Sequence, residues 1–460
     1  MANTYILVGT SSSGTRTKWT TSFWIKRNGL SSDSAIFGAY LDGSNYDLIK
    51  LGNNGALEWQ SYQAGSFANG GKLKTERLFQ DANAWYHIVC RWDTNNSTAN
   101  NRMKIWVNGN EISDFAERNN PTSGRESLIN YGQITAIGRL ASNYLDGCMS
   151  HVHFCDNQLY QASDFGETDS TTGQWKIKTS PNVSYGTTGY FILKDGNSLT
   201  DQSGLGNDFS LQGGTLTNTE DNPSNVFATL NPLTRWRGQN RTPSQVLAKG
   251  NLQTGIGSTE AALLTSTIGV KSGKWYWEAK SDGVSKMFFG ICNTGAFGET
   301  GAPHDHSDGA TATGIYYYEA IPDFRYYSGA TSTTGISSIS TGDVLGFAMD
   351  CDNSYLWIHK NGVYMNSGDP TSGASGTGAI NSLFNYSGYL FYRNGVKTEM
   401  FPSCYVSSSS GSGTASFNFG NGYFGTTAVS SAGTNASGNG IFEYDVPTGF
   451  TALSTKGLNL

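Results

Sequence analysis

The sequence predicts an all-β protein, two antiparallel β-sandwich (jelly-roll) domains joined by a structured connector. Three observations carry that expectation. Glycine makes up 58 of 460 residues, close to twice the average share, and it stands among Ser, Thr and Asn, the residues of turns. Aromatic residues reach 13% and charged residues only 14%, a mixture suited to short strands around an aromatic core and poor in the Ala, Glu, Lys and Leu of long helices. Two Asn-Gly pairs, Asn108-Gly109 and Asn361-Gly362, sit between alternating strand-like runs, where Asn-Gly marks a hairpin because both residues accept positive φ. This composition excludes a helical bundle, a coiled coil and a doubly wound nucleotide-binding fold, and 11 Trp, 24 Tyr and 23 Phe argue against disorder.

The elements follow in order. Residues 1–165 form the first sandwich, with strand signals at 21–26, 46–51, 85–92, 104–107 and 148–154 and a short helical turn at 162–165. On strand period, Tyr86, Ile88, Cys90 and Trp92 share one apolar, buried row. Residues 166–250 are polar and punctuated by Pro181, Pro223, Pro232 and Pro243, yet they carry Phe191, Phe209, Phe227 and Trp236. They read as a connector packed on both neighbours, not a free linker. Residues 251–425 form the second sandwich, with strand signals at 273–279, 287–292, 314–318, 343–350, 355–359 and 415–419. Residues 426–460 are a Gly/Ser/Asn loop and a docking tail that offers Phe450 and Leu453.

The net charge is -6, the pI is about 5.6 and there is no basic run, so a nucleic-acid partner has no electrostatic footprint. Six cysteines, Cys90, Cys148, Cys155, Cys292, Cys351 and Cys404, contain no CxxC pair, which argues against a zinc ribbon or a thioredoxin-type site. They read as small buried residues of a chain made in a reducing cytoplasm. Met1 to Tyr5 lacks the regions of a signal peptide, and no run approaches the ~18 apolar residues of a membrane span.

Two regions carry resemblances. Trp85-Tyr86-His87-Ile88-Val89, Lys104-Ile105-Trp106-Val107-Asn108-Gly109, Ile137-Gly138-Arg139 and Leu145-Asp146-Gly147-Cys148-Met149-Ser150 resemble a concanavalin A-like (laminin G-like) lectin/glucanase sandwich. Ser272-Gly273-Lys274-Trp275-Tyr276-Trp277-Glu278, Phe289-Gly290-Ile291, Gly342-Asp343-Val344-Leu345-Gly346, Leu356 to Gly362, Phe401-Pro402-Ser403 and Phe417-Asn418-Phe419-Gly420 resemble a SPRY domain. Asp164-Phe165-Gly166-Glu167, Asp201 to Phe209 and Phe227 to Leu233, with the ending Pro447 to Leu453, look like the connector and tail of marine tailed-phage surface proteins that join the same two sandwiches. The resemblance implies a virion structural protein, made in the host cytoplasm, present in multiple copies or as a homo-oligomer beside other virion proteins, and exposed to host glycans. The absence of an N-terminal adaptor and of heptads favours a head decoration, tip or knob over a fibre shaft.

Catalytic constellations are sparse. Laminarinase-type glucanases place carboxylates on one strand face as Glu-x-Asp-x-x-Glu, because two carboxyls must flank one bond. Here Glu167-Thr168-Asp169 is followed by Thr172 and Glu443-Tyr444-Asp445 by Thr448, so the third carboxylate is missing both times. Neither a Gly-x-Ser-x-Gly elbow nor a Walker A loop is present. No catalytic residue, cofactor or metal is assigned. Asp350 to Ser354 lacks the glycine and late glutamate of a calcium loop and reads as a hairpin turn.

Candidate ligand-binding residues come from three clusters. His304, Asp305, His306 and Asp308 form the most metal-like group and fall in the loop 293–312, the preferred variable surface; a polar exposed loop is the plainer reading. Tyr316, Tyr318, Tyr326 and Tyr327 concentrate flat apolar faces with hydroxyls, which suit sugars; packing within and between strands is the plainer reading. His151 and His153 share a strand face that can line a ligand surface or simply meet solvent. The expected function is a non-enzymatic virion surface protein that engages host glycans. The alternatives are a polysaccharide depolymerase (hydrolase or lyase) and a stand-alone lectin module.

Overall fold

The computed structural model describes residues 4–8, 12–29, 32–132, 135–178, 180–194, 196–233, 236–237, 246–256, 262–283, 287–296, 307–308, 311–312, 314–319, 322–326, 330–333, 335–383, 390–393, 395–406 and 413–459. Antiparallel strands dominate it, as the turn-rich sequence predicts. The chain divides into two compact units, residues 1–218 with 222–224 and residues 219–221 with 225–460. The stretch 166–250 is shared between them: its first part adds strands to the first unit and its last part adds strands to the second.

The first unit stacks an eight-stranded sheet on a six-stranded one. The eight strands run, in spatial order, Phe115–Asn119, Gly71–Leu78, Ala56–Gln63, Asn45–Leu51, Ser34–Asp42, Thr135–Ile137, Tyr5–Val8 and Phe209–Gln212. The six run Tyr190–Ile192, Gly147–Asp156, Lys18–Arg27, Tyr86–Asp93, Met103–Val107 and Asn110–Glu111. Alternation places one side chain in two between the sheets. Tyr86, Ile88, Cys90 and Trp92 point inward as the period requires, and the core centres on Trp19, whose ring lies 5.5 Å from Trp59 and 6.1 Å from Trp92. The Asn108-Gly109 hairpin forms with φ of 48° and 85°, and a Cβ on Gly109 would sit 2.6 Å from the Trp175 ring, so glycine is required there twice over.

The Asp201 to Phe209 motif is a strand-closing loop. The Asp201 carboxylate accepts N–H bonds from Phe191 at 2.9 Å and Asn207 at 3.0 Å, and the Asn207 amide donates to the Gly189 carbonyl at 2.8 Å. That knot sets Phe209–Gln212 against Tyr5–Val8. All six cysteines are among the described residues, and no disulfide joins any of them.

The second unit stacks a seven-stranded sheet on an eight-stranded one. The seven run Trp236–Arg237, Ala262–Thr265, Met400–Val406, Met287–Asn293, Gly314–Tyr318, Asp323–Tyr326 and Ala330–Ser332. The other sheet runs Val246–Ala248, Gln253–Ile256, Gly413–Asn418, Lys274–Ser281, Val344–Asp350, Tyr355–Lys360 and Val363–Tyr364, with Thr451–Ala452 as its eighth strand beside Lys274–Ser281. Trp275 and Trp277 face the shared core with Phe347, Phe417 and Ile358. Asn361 and Gly362 repeat the hairpin geometry at φ of 47° and 84°, and Asp350 caps its own turn by accepting from the Asn353 backbone and side chain.

The C-terminal tail docks on the outer face of this eight-stranded sheet. Thr451–Ala452 pairs in parallel with Trp275 and Tyr276, and Phe442, Val446 and Phe450 pack on Tyr276, Ala348 and Trp357. Glu278 is fully buried beneath it. Its Oε2 accepts the Glu443 N–H at 2.9 Å and the Asn418 amide at 3.2 Å, and its Oε1 accepts the Tyr444 N–H at 2.8 Å and the Tyr276 hydroxyl at 3.1 Å. One carboxylate thus ties tail and sheet together. The Gly362 N–H donates to His359 Nδ1 at 3.1 Å, so the imidazole proton sits on Nε2, 2.7 Å from the Tyr276 oxygen. Among the described residues, no helix is long and apolar enough to cross a membrane.

Two predictions follow from packing and burial. Trp19→Ala empties the centre of the first core and is expected to destabilise that unit by about 3–5 kcal/mol, read as a lowered urea midpoint. Burial pushes the Glu278 carboxyl up to about 7 from its ordinary 4.5, against the pull of its hydrogen bonds. The folded state therefore binds this proton more tightly than the unfolded chain, and stability falls as pH rises from 4.5 to about 7. His87 and His359, lowered by burial to about 3 and about 4, act in the opposite sense below their ordinary 6.5. Urea unfolding of wild type and Glu278→Gln across this range cancels the histidines; the wild type is expected to lose stability relative to the variant as pH rises, whereas parallel curves contradict the assignment.

Candidate functional site

Each sandwich uses one face of each sheet for its core, so four outer faces remain. The outer face of the six-stranded sheet is covered. The helix Ala162–Phe165 and the hairpin formed by Gly166–Thr168 and Trp175–Ile177 lie over it, with Trp106, Val89 and Cys155 beneath. His87 is stacked between Trp24 and Trp175, with ring centres at 5.0 Å and 5.9 Å. The Trp175 indole N–H donates to His87 Nδ1 at 2.9 Å, which leaves Nε2 to donate to the Ser22 hydroxyl at 2.8 Å. This is a neutral imidazole locked in place, and burial drives its pKa down.

His153 lies in the same covered layer, stacked 3.9 Å from Phe191 and bonded through Nδ1 to the Tyr185 hydroxyl at 2.9 Å. It is buried, and desolvation holds it well below the ordinary histidine range. His151 sits at a bulge, where pairing with Lys18–Arg27 slips between Ser150 and His153, and its φ is 48°. It is half-buried, 5.8 Å from the Phe191 ring, with Nδ1 2.7 Å from the Ser150 hydroxyl. The two histidines therefore meet at Phe191 and do not form an open row.

The tyrosine cluster of the second unit is also packed away. Ile315 and Tyr317 enter the main core. Tyr316 and Tyr318 point to the other face of the seven-stranded sheet, but they are buried there with Leu263, Phe288 and Tyr405. Tyr318 stacks on Phe288 at 4.2 Å and lies under the Arg325 guanidinium at 4.3 Å, while Ser403 donates to the Tyr316 hydroxyl at 3.2 Å. Neither ring presents a face to solvent. Asp308 ends the two-residue strand Ser307–Asp308 and Tyr326 ends Asp323–Tyr326; their side chains, together with His304, Asp305, His306 and Tyr327, lie outside the described residues.

The carboxylate pairs noted in the sequence serve local turns. Asp169 accepts from the Thr171 and Thr172 N–H groups and pairs with Lys176, which also reaches Glu167. Glu443 accepts from Ser430 and Asp445 from Thr434. Asp47, buried in the first core, accepts from the Ser127 hydroxyl and the Leu128 N–H at 2.5 and 2.7 Å. Among the described residues, no group of three or more His, Cys, Asp or Glu is placed to hold a metal ion.

The outer face of the eight-stranded sheet in the first unit is different, because polar and aromatic side chains stand on it in cross-strand rows. Tyr40 pairs with Tyr46, and Tyr46 with Tyr62, so three tyrosines line up across three strands. Tyr40 is 43% exposed, and Tyr46 and Tyr62 are half-buried with rings 5.2 Å apart. Phe67, in the turn Phe67–Gly70, extends the row at 4.7 Å from Tyr62. The next row is Gly38, Leu48, Gln60 and Lys72. The third is ionic: Lys50 opposite Glu58, Glu58 opposite Lys74, Lys74 opposite Glu117. Lys50 also reaches Asp33 at 2.6 Å, and Lys72 reaches Glu117 at 2.6 Å. A hairpin made of Arg139–Leu140 and Asn143–Tyr144 rises beside the rows, with Leu140 packed on Ala35, Leu48 and Tyr46.

Sequence reasoning passed over Tyr40, Tyr46 and Tyr62, although a local signal was present. Tyr40 and Tyr46 lie on either side of the turn Asp42 to Asn45, which is closed by the Asp42 carboxylate accepting the Ser44 N–H at 2.8 Å. The turn alone does not fix the row: Asp42 pairs with Asn45, and Leu41 bulges out between Tyr40 and Asp42, which brings Tyr40 opposite Tyr46.

No curated protein matches the chain. Among solved structures, the SPRY domain of human HERC1 aligns over 41% of this chain and 96% of its own, at 14% identity and a TM-score of 0.29. The native heptameric SAP-like pentraxin from Limulus polyphemus aligns over 47% of this chain and 90% of its own, at 17% identity and a TM-score of 0.30. The TRIM65 PSpry domain aligns over 42% and 91%, at 10% identity and a TM-score of 0.26. Residues 1–163 match the family model Laminin_G_3, the concanavalin A-like lectin/glucanases superfamily.

Proposed function

We propose that this chain is a non-enzymatic structural protein displayed in many copies on a virus particle, where its first unit binds carbohydrate. The observation that carries the reading is the outer face of the eight-stranded sheet. It lies within the region that matches the lectin/glucanase family, and it offers aromatic rings beside polar groups, the pairing that suits the apolar C–H face and hydroxyl rim of a sugar.

The same face argues for binding without cleavage. Glycoside hydrolysis needs two carboxyls free to flank one bond, one of them protonated. Asp33 and Glu117 pair with Lys50 and Lys72 at 2.6 Å, which favours their ionised form, and Glu58 is engaged by Lys50 and Lys74. Display on a particle rests on the resemblance of the connector and tail, and multiple copies would raise the avidity of a shallow site.

The reading predicts that mass spectrometry of purified particles recovers peptides of both units. It also predicts that the isolated chain, incubated with a polysaccharide that it binds, releases no reducing ends above a buffer control. Absence from particles sinks the structural role, and a rise in reducing ends sinks the non-enzymatic one.

A further inference from the structure

We infer that the row Tyr40, Tyr46, Tyr62 and Phe67 is the platform for an uncharged oligosaccharide lying across the strands. The inference rests on the carbohydrate-binding reading and names its site and ligand class. Three features converge. The first is the register: Tyr40, Tyr46 and Tyr62 are direct cross-strand partners, and neighbouring strands lie about 4.8 Å apart, so ring follows ring at a spacing close to the width of one sugar. Phe67 continues the row beyond Tyr62. The platform suits several linked sugars in preference to one.

The second feature is charge. Three lysines and three carboxylates stand beside the row and neutralise one another: Lys50 with Asp33 and Glu58, Lys74 with Glu58 and Glu117, Lys72 with Glu117. Gln60 donates its amide to Glu58 at 2.7 Å. A polyuronate or a sulfated chain finds no net counter-charge here. A neutral chain brings no charge to be desolvated, and its hydroxyls can exchange water for the polar groups of the face.

The third feature is relief. The hairpin carrying Leu140 and Tyr144 stands against the strand Ser34–Asp42, which gives the row, whose rings are tilted against one another, a wall. The tyrosine hydroxyls offer both donors and acceptors to sugar hydroxyls, while the ring faces take the C–H surface.

The test is affinity electrophoresis of the full chain in gels containing laminarin or galactomannan, both uncharged, or alginate, a polyuronate. The wild type is expected to be retarded by at least one neutral polymer and not by alginate. The double variant Tyr40→Ala with Tyr62→Ala should weaken that retardation about tenfold, the scale of one or two lost stacking contacts. Tyr40→Phe with Tyr62→Phe keeps the ring faces and should stay within about threefold. Unchanged urea midpoints show that both variants fold. Equal retardation of wild type and the alanine variant overturns the site and leaves carbohydrate binding standing. Salt-sensitive retardation by alginate alone overturns the ligand class. Conversion of a wild-type dimer to monomers by the alanine variant, seen by sedimentation, overturns the inference by making the face a contact between copies. No retardation of the wild type by any of the polymers overturns the inference and the carbohydrate reading together.

Discussion

A β-strand sends its side chains alternately to two sides, and a sandwich buries only one side of each sheet. Every strand that joins a core therefore leaves a second set of side chains that must be covered, paired or put to use. The two units meet this constraint in different ways, and the candidate site is where covering stops. Over the six-stranded sheet, residues 160–178 and 180–185 fold back so that Trp175 stacks on His87 and Phe165 and Tyr185 enclose His153. Over the eight-stranded sheet of the second unit, the tail between Phe442 and Leu453 does the same, held by the buried Glu278. Tyr316 and Tyr318 close the seven-stranded sheet with aromatic neighbours.

Covering explains the shifted titrations as well. His87, His153 and His359 are held neutral because burial among apolar rings took their water away. Their hydrogen bonds run to Ser22, Trp175, Tyr185, Tyr276 and the Gly362 N–H. Perturbed groups often mark active sites, but here they mark the undersides of covering segments. The face with the tyrosine row carries the reverse chemistry: a ladder of ion pairs built around the buried Glu58, with Asp33 and Glu117 partly exposed at its ends, beside a row in which Tyr40 meets solvent.

The parts of the fold set by local chemistry were legible in the sequence. Both Asn-Gly hairpins formed with the positive φ that such pairs accept, the Tyr86 to Trp92 row faced inward, and Trp275 and Trp277 entered the core. The parts set by distant segments were not. Nothing near His153 announces that Tyr185 and Phe191 will close over it, and the bulge at His151 breaks the alternation that was read there. Density of tyrosines drew attention to Tyr316 and Tyr318, whereas the exposed row is made by register, a relation between strands that sequence adjacency hides.

The central claim, that the tyrosine row meets solvent while the aromatic groups of the other outer faces are closed over, is tested most directly by residue-resolved tyrosine nitration of the folded chain read by mass spectrometry. Open rows predict rapid modification at Tyr40 and Tyr62, with Tyr190, Tyr276 and Tyr316 spared because they are buried. The contradicting result is Tyr40 and Tyr62 protected while Tyr276 and Tyr316 react, which would mean that the covering segments lie elsewhere.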